Sequence, residues 1–216
     1  MHIALATLAL ILAYLIGSVP VGVLAGKLVK GVNVREIGSG RTGSTNVYRA
    51  AGPLGMGLTC LGDAIKGIVA ISIARLVAML AAALFPDATW LNWIEPLAGI
   101  AAVTGHNWSI FLRFKGGAGT VTTVGVLAAM NVYVVAAVIV VGIVAMLISK
   151  MASIGSITLA VAMAPALIVA AATELTPWAF VTFGVVAGAL TIYALRPNIQ
   201  RIRSGQERQL QTRTSR

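Results

Sequence analysis

Charge is what this sequence has least of. Only 10% of its 216 residues are charged, against about 25% in a soluble globular domain. With 58% hydrophobic residues and a mean hydropathy of +0.93, a water-soluble single domain is excluded, and a chain that is mostly membrane, with no room for a separate soluble domain, is expected. Cysteine is represented by Cys60 alone, so neither a disulfide framework nor a thiolate metal cluster can be built; redox and zinc chemistry drop out, and no metal or cofactor is expected. Acidic residues are also few, 6 against 16 Lys and Arg, for a formal net charge of +10. On a soluble protein that balance would point to nucleic acid; here its meaning depends on where the charges lie.

Apolar runs read as helices cover Ile3 to Leu24, Leu54 to Leu84, Trp93 to Thr104, Thr120 to Met130, Val132 to Ser149, Ile154 to Ala172 and Trp178 to Leu195. These predict an all-α integral membrane fold with about seven transmembrane helices. The Trp93 and Thr120 runs are shorter than a full span, and are expected to be half-buried, tilted or extended into their flanking loops. Turn signals separate the runs at Phe85-Pro86-Asp87, Met130-Asn131, Lys150 to Ser153 and Glu174 to Pro177. The basic residues segregate: Lys27, Lys30, Arg35, Arg41 and Arg49 in the first long connection, Arg113 and Lys115 in the third, Lys150 in the fifth, and Arg196, Arg201, Arg203, Arg208, Arg213 and Arg216 in the tail. Alternate connections hold Asp87, Glu95 and Glu174. Retention of positive charge in the cytoplasm then places the odd loops and the C-terminus inside and the N-terminus outside. A signal peptide in place of the first helix would need a basic n-region and a small-residue cleavage site, where the chain has Pro20. Residues 1–195 thus form a polytopic domain and 196–216 a basic cytoplasmic tail; its charge is read first as plain topology retention, and where it does meet a partner, anionic lipid is nearer than nucleic acid.

Two of the cytoplasmic loops are long, polar and rich in glycine. The first, from Asn33 to Arg49, carries Gly38, Ser39, Gly40, Arg41, Thr42, Gly43, Ser44, Thr45, Asn46 and Arg49; the other, from Gly105 to Thr120, carries His106, Asn107, Arg113, Lys115, Gly116, Gly117 and Gly119. Glycines let successive backbone N–H groups converge, hydroxyls add donors and a cation neutralises charge, which suits phosphate oxygens. Each loop also runs into a helix N-terminus, where an anion is favoured. Two phosphate sites on one membrane face follow, in a polar groove lined by Ser39, Thr45, Asn46, Lys115 and the Gly116-Gly117 backbone. The same glycines also serve close helix packing or flexible turns, and no Gly-Lys-Ser/Thr completes a Walker sequence. A lipase-like triad is unsupported, because no serine stands in Gly-x-Ser-x-Gly. His106 is followed four positions later by Ile110 rather than Asp, which closes the soluble-type acyltransferase route; the imidazole binds a substrate phosphate or caps a helix. Asp63 and Lys66, three apart on one helical face within an apolar run, are either a site-lining pair or a structural ion pair near the interface.

In its ordered blocks the sequence resembles the bacterial membrane glycerol-3-phosphate acyltransferases that use acyl phosphate as donor. Gly17-Ser18-Val19-Pro20 ends the first helix; Gly38-Ser39-Gly40, Gly43, Thr45-Asn46 and Arg49 form the first block, with Asp63 and Lys66-Gly67 downstream. Gly105-His106, Phe111, Phe114-Lys115-Gly116-Gly117, Gly119 and Thr122 form the second; Ser153-Ile154-Gly155-Ser156-Ile157 the third; and Arg196, Asn198-Ile199, Arg201, Gly205 and Glu207 follow. The resemblance covers nearly the whole chain. It implies a seven-helix enzyme of the bacterial inner membrane, its active site facing the cytoplasm, moving an acyl group from acyl phosphate to the sn-1 hydroxyl of glycerol 3-phosphate to give lysophosphatidic acid. Carried onto this chain, it implies catalytic roles for Ser39, Lys115 and His106. Substrate or phosphate contacts are implied for Gly38, Gly40, Gly43, Thr45, Asn46, Arg49, Asp63, Lys66, Gly116, Gly117, Gly119, Ser153, Ser156, Arg196 and Asn198, and the cation Arg41, within the same loop, is read as a further phosphate contact from its own charge. Because an acyl phosphate is already activated, positioning and charge stabilisation can carry much of the rate without a covalent nucleophile.

The chain departs from the family pattern at Arg41 (usually Asn), Ser44 (Ala), Ser109 (Pro), Ala118 (Lys) and Leu195 (His). Two candidate phosphate or proton-handling groups are thereby missing, and Arg41 would restore charge near Ala118 if the loops meet. A non-catalytic binder or transporter of a phosphorylated or anionic lipid precursor would use the same loops without turnover. No internal repeat of the transporter kind is visible, and the donors cluster toward one membrane face rather than the midplane.

Overall fold

In the computed structural model, residues 2–85 and 89–210 are described; Pro86 and Asp87 of one turn signal, and Arg213 and Arg216 of the tail, lie outside them. Every described element is helical: α1 His2–Ser18, α2 Val21–Lys30, α3 Ser44–Leu84, α4 Leu91–Asn107, α5 Thr120–Met130, α6 Val132–Ser149, α7 Ala152–Ala172, α8 Ala179–Ala194 and α9 Arg196–Arg203, with single 3-10 turns at Val34–Glu36 and Ile110–Leu112. Four spans, Ile3–Lys30, Ser44–Leu84, Val132–Ser149 and Ala152–Ala172, are long and apolar enough to cross a membrane, and the pair α8 and α9, bent by 59°, makes a fifth. At 17 and 11 residues, α4 and α5 fall short of the roughly 20 that cross a bilayer unaided.

Each expected apolar run is a helix, but the boundaries move for identifiable reasons. The first run breaks at Val19-Pro20 into α1 and α2, because proline has no N–H and its ring collides with the preceding turn; α2 then continues to Lys30, placing Lys27 and Lys30 in its last turn rather than in a loop. The second run starts ten residues early, at Ser44, so Thr45, Asn46 and Arg49 belong to a short helical segment. That segment turns into the main span at Gly52, whose φ of 73° and ψ of −167° only glycine adopts without strain. Asn131 separates α5 from α6 and caps the latter, accepting hydrogen bonds from Tyr133 N and Val134 N.

A core of Ala, Val and Leu, with Phe183, Ile71, Leu127 and Met163 fully buried, runs through the bundle. Backbones approach closely where glycine removes a side chain: a Cβ on Gly17 would meet the Ala102 carbonyl, one on Gly105 the Tyr14 carbonyl, and one on Gly125 the Ala64 carbonyl. These contacts bind α1 to α4 and α5 to α3 in the small-residue manner of membrane helices. Gly125→Val therefore has no room, and is expected to lower the thermal midpoint in detergent by the equivalent of about 1–3 kcal/mol, whereas Ala136→Val on the exposed face of α6 leaves it unchanged.

The two ends of the bundle differ in charge. At one end the α2–α3 loop, the α4–α5 loop, the α6–α7 turn and the tail meet: Arg41 Nη2 donates to the Ala194 carbonyl, Arg208 Nη2 reaches the Gly38 carbonyl at 3.5 Å, and Leu210 N donates to the Lys150 carbonyl at 2.7 Å. At the other, Arg75 pairs with Glu95 at 2.7 Å and reaches the Ala129 carbonyl, while Asn131 Nδ2 donates to the Leu175 carbonyl.

Candidate active site

The site at the basic end is built on the Pro20 break. Freed from helical bonding, the Val19 carbonyl accepts from Lys66 Nζ at 3.1 Å, and the Ser18 carbonyl accepts from Ser109 Oγ at 2.6 Å. Lys66 also pairs with Asp63 Oδ1 at 2.8 Å and stands 2.9 Å from His106 Nδ1, which lies 3.1 Å from Thr122 Oγ1 and 3.5 Å from Asp63 Oδ1. Nδ1 of His106 is thus the point where Lys66, Thr122 and Asp63 converge. One buried network therefore ties the α1–α2 break to α3, α4 and α5.

Asn46 organises the first loop in a similar way. Its Oδ1 accepts from Ser39 N at 2.9 Å, and its Nδ2 lies within 3.0 Å of the Val34, Ile37 and Arg41 carbonyls. The side chain is thus committed to holding the loop, with no donor spare for a substrate. Gly38 stands against it with φ of 62°.

The second loop corrects a larger part of the sequence reading. His106 and Asn107 are not loop residues but the last turn of α4, because Gly105 lets that helix run on against α1. The N–H groups of Gly116 and Gly117 do not face an anion; they donate to the Asn107 and His106 carbonyls at 3.1 Å each. These glycines are needed for approach instead, since a Cβ on Gly117 would strike the His106 ring. Gly119, with φ of 80°, opens α5.

Together these elements enclose a cavity of about 760 Å³. Ser39, Thr45, Arg49, Asn198, Arg201 and Arg208 surround its mouth, Asp63 and His106 lie deeper, and Val124, Ile139, Ile143, Met146 and Leu159 form an apolar trough between α5, α6 and α7. Gly43, Gly119, Ser153 and Ser156 also line it. A separate cleft of about 250 Å³ holds Gly40, Lys115, Gly116, Gly117 and Arg196, with Asn107 and Trp108. The single groove expected from the sequence is therefore two spaces, and Arg41 lines both. Burial, followed by the charges of Arg201 and Arg196, pushes the Arg41 guanidinium below its ordinary pKa; such a cation is relieved by an anion. Asn107, Trp108 and the apolar trough were not assigned from sequence. Asn107 stood in a polar block, but the trough residues look like any lipid-facing run.

The tail closes one side of the mouth through Glu207, which accepts from Asn198 Nδ2 at 2.9 Å and Arg201 Nε at 2.8 Å. Burial alone would raise this carboxyl; the bonds from Asn198 and Arg201 outweigh it and hold the group below the usual range. A depressed folded pKa gives a contribution that is complete above the unfolded value and lost as pH falls through the folded one. Proteolytic nicking after Arg203 is expected to be slow at neutral pH and to accelerate only as pH falls below the ordinary carboxylate range, while Glu207→Gln is nicked quickly throughout. Equal rates for both proteins at pH 7 would contradict the strap.

The class these features define is a multi-pass helical membrane protein with a cavity that joins a cation-rimmed mouth to an apolar trough. Residues 7–205 match the family model described as glycerol-3-phosphate acyltransferase. A glycerol-3-phosphate acyltransferase of Trichormus variabilis is 40% identical, covering 91% of this chain and 88% of its own length, and glycerol-3-phosphate acyltransferase 2 of Moorella thermoacetica is 38% identical, covering 96% and 98%. Crystal structures of PlsY (YgiH), an integral membrane glycerol 3-phosphate acyltransferase, superpose with TM-scores of 0.79 for the glycerol 3-phosphate form and 0.76 for the lysophosphatidic acid form, at 34% and 33% identity over 96% and 94% of both chains. The chain belongs to the glycerol-3-phosphate acyltransferase family.

Proposed function

We propose that the protein transfers a fatty acyl group from acyl phosphate to the sn-1 hydroxyl of glycerol 3-phosphate, releasing lysophosphatidic acid and inorganic phosphate. The observation that carries this reading is the continuity of the cavity: cations and hydroxyls at the mouth, Ile139, Ile143, Met146 and Leu159 behind. An acyl phosphate fits that gradient, chain in the trough and phosphate against Arg49, Arg201 and Arg208. The solved relatives with glycerol 3-phosphate and lysophosphatidic acid support the acceptor and product.

The acceptor hydroxyl attacks the acyl carbon, the carbon–oxygen bond to phosphate breaks, and the hydroxyl proton leaves with the departing phosphate. Atoms and charge balance without a covalent enzyme intermediate or a metal. Ser39, Arg41 and Lys115 stabilise charge on the phosphates; Gly38, Gly40, Gly43, Thr45, Ser153, Ser156, Arg196 and Asn198 shape the contacts. His106, Asp63, Lys66 and Asn46 hold the loops in place, with Gly116, Gly117 and Gly119 admitting the close approach.

In this reading the chain crosses a bacterial inner membrane seven times, with α5 completing a short crossing, the N-terminus outside and the basic end in the cytoplasm. Residues 1–195 form the membrane body, and the tail from 196 onward rims the site. The gathering of the α2–α3, α4–α5 and α6–α7 connections with the tail at one end supports that alternation, and the segregation of charge supports its direction. Anionic lipid is the neighbour of the tail; nucleic acid has no part. Arg208→Cys in intact cells is expected to resist a membrane-impermeant thiol reagent, and labelling from outside would contradict the orientation. The activity is tested with purified protein, acyl phosphate and labelled glycerol 3-phosphate: lysophosphatidic acid is the expected product. Glycerol 3-phosphate binding without product would instead mark a binder or transporter.

A further inference from the structure

The apolar trough has an open side, and the shortness of α5 makes it. α5 runs away from the basic end to the turn at Asn131, and α6 returns from it. With 11 residues α5 is about 16 Å long, whereas α6, with 18, is about 27 Å. Near Asn131, α5 is wedged against α3: a Cβ on Gly125 would meet the Ala64 carbonyl, one on Gly67 would meet the Thr122 carbonyl, and Val126 and Leu127 are fully buried. The wedge stops at Thr120. Over the last 10 Å or so toward the basic end, about a third of the roughly 30 Å hydrocarbon core, α5 no longer separates α3 from α6. Met56 and Cys60 of α3 and Ile143 and Met146 of α6 line the cavity there. Met56 and Ile143 are also 39% and 45% exposed, as residues on the lip of an opening are. The lip is apolar and carries no charge. The mouth, by contrast, is ringed by Arg49, Arg201 and Arg208. An alkyl chain entering there would leave lipid for water, at a cost in free energy for every methylene; one crossing the lip stays in hydrocarbon.

We propose that the gap between α3 and α6 is a lateral portal, through which a single-chain amphiphile passes between the adjoining leaflet and the cavity. The proposal rests on the acyl-transfer reading and assigns each substrate a route: the donor enters and the monoacyl product leaves sideways, while the water-soluble acceptor comes through the mouth. The head of the donor is held inside and the far end of its chain remains among the lipids. No wall of the cavity then measures the chain, and a bulky group at its tip is tolerated.

The test uses the full-length protein in lipid vesicles, supplied with glycerol 3-phosphate and either palmitoyl phosphate or the same donor carrying pyrene on its last carbon. Wild type is expected to use both at similar rates; a closed trough would reject the pyrene donor at least tenfold, the scale on which an apolar pocket refuses an added group. The portal is then shut. In a Cys60→Ala background, which removes the native thiol, Met56→Cys and Ile143→Cys are bridged with a reducible bifunctional reagent. Bridging is expected to abolish turnover of the pyrene donor, to leave glycerol 3-phosphate affinity unchanged by calorimetry, and to be reversed when the bridge is cleaved, which excludes misfolding. Rejection of the pyrene donor by wild type, or its turnover undiminished by the bridge, would overturn the portal. Where neither donor yields lysophosphatidic acid, the transfer reading fails and binding alone decides the portal. Saturable energy transfer from the tryptophans to pyrene that the bridge abolishes sustains it; binding indifferent to the bridge removes it.

Discussion

Lys66→Met is expected to cost about 3–5 kcal/mol of stability, the scale of removing one partner from a buried ion pair. Both side chains are nearly inaccessible, 6% for Lys66 and 2% for Asp63, so the change strands a carboxylate in the bundle. It also releases the Val19 carbonyl at the α1–α2 break and the ring of His106. The double variant Asp63→Asn with Lys66→Met removes the stranded charge and is expected to recover more than half of the loss. Thermal unfolding in one detergent at one pH reads all three proteins. Melting of Lys66→Met at the wild-type temperature would show that the network does not hold these helices.

The second large effect concerns turnover. Lys115→Ala should slow acyl transfer by roughly tenfold to a thousandfold, the loss expected when a charge partner of the reacting groups is deleted. Arg113 is two positions away, equally exposed and in the same loop, yet lines neither the cavity nor the cleft. Its replacement by alanine should change turnover by no more than about twofold, as suits a lipid-headgroup contact. The pair separates position from charge: both variants lose one cation from one loop, and of the two only Lys115 lines the cleft. Matched activities of Lys115→Ala, Arg113→Ala and wild type, at equal folded protein, would remove Lys115 from the mechanism.

The helices were legible in the sequence because lipid-crossing runs need little beyond length and hydropathy. The breaks were less so. Pro20 sits inside a continuous apolar run, and only the structure shows that its break frees a carbonyl for Lys66. The polar and glycine residues of the two loops were visible as types, whereas the bonds they make were not. Asn46 reads as a spare donor until its amide is seen among three carbonyls, and Gly116 and Gly117 read as an anion nest until their N–H groups are traced to the end of α4. Asn107 stood in the same polar block, but nothing in a one-dimensional pattern marks a buried amide as unsatisfied. The apolar trough was invisible for a related reason: Ile139, Ile143 and Met146 face a cavity, but a residue facing lipid has the same composition.

Transfer from acyl phosphate to glycerol 3-phosphate is read most directly from the stoichiometry of the reaction in lipid vesicles containing the purified protein and supplied with both substrates. Lysophosphatidic acid acylated at sn-1 and inorganic phosphate should appear one for one, at equal rates, with no phosphate released when glycerol 3-phosphate is omitted. Phosphate release without the lysolipid, or lysolipid formed from an acyl thioester but not from acyl phosphate, would contradict it.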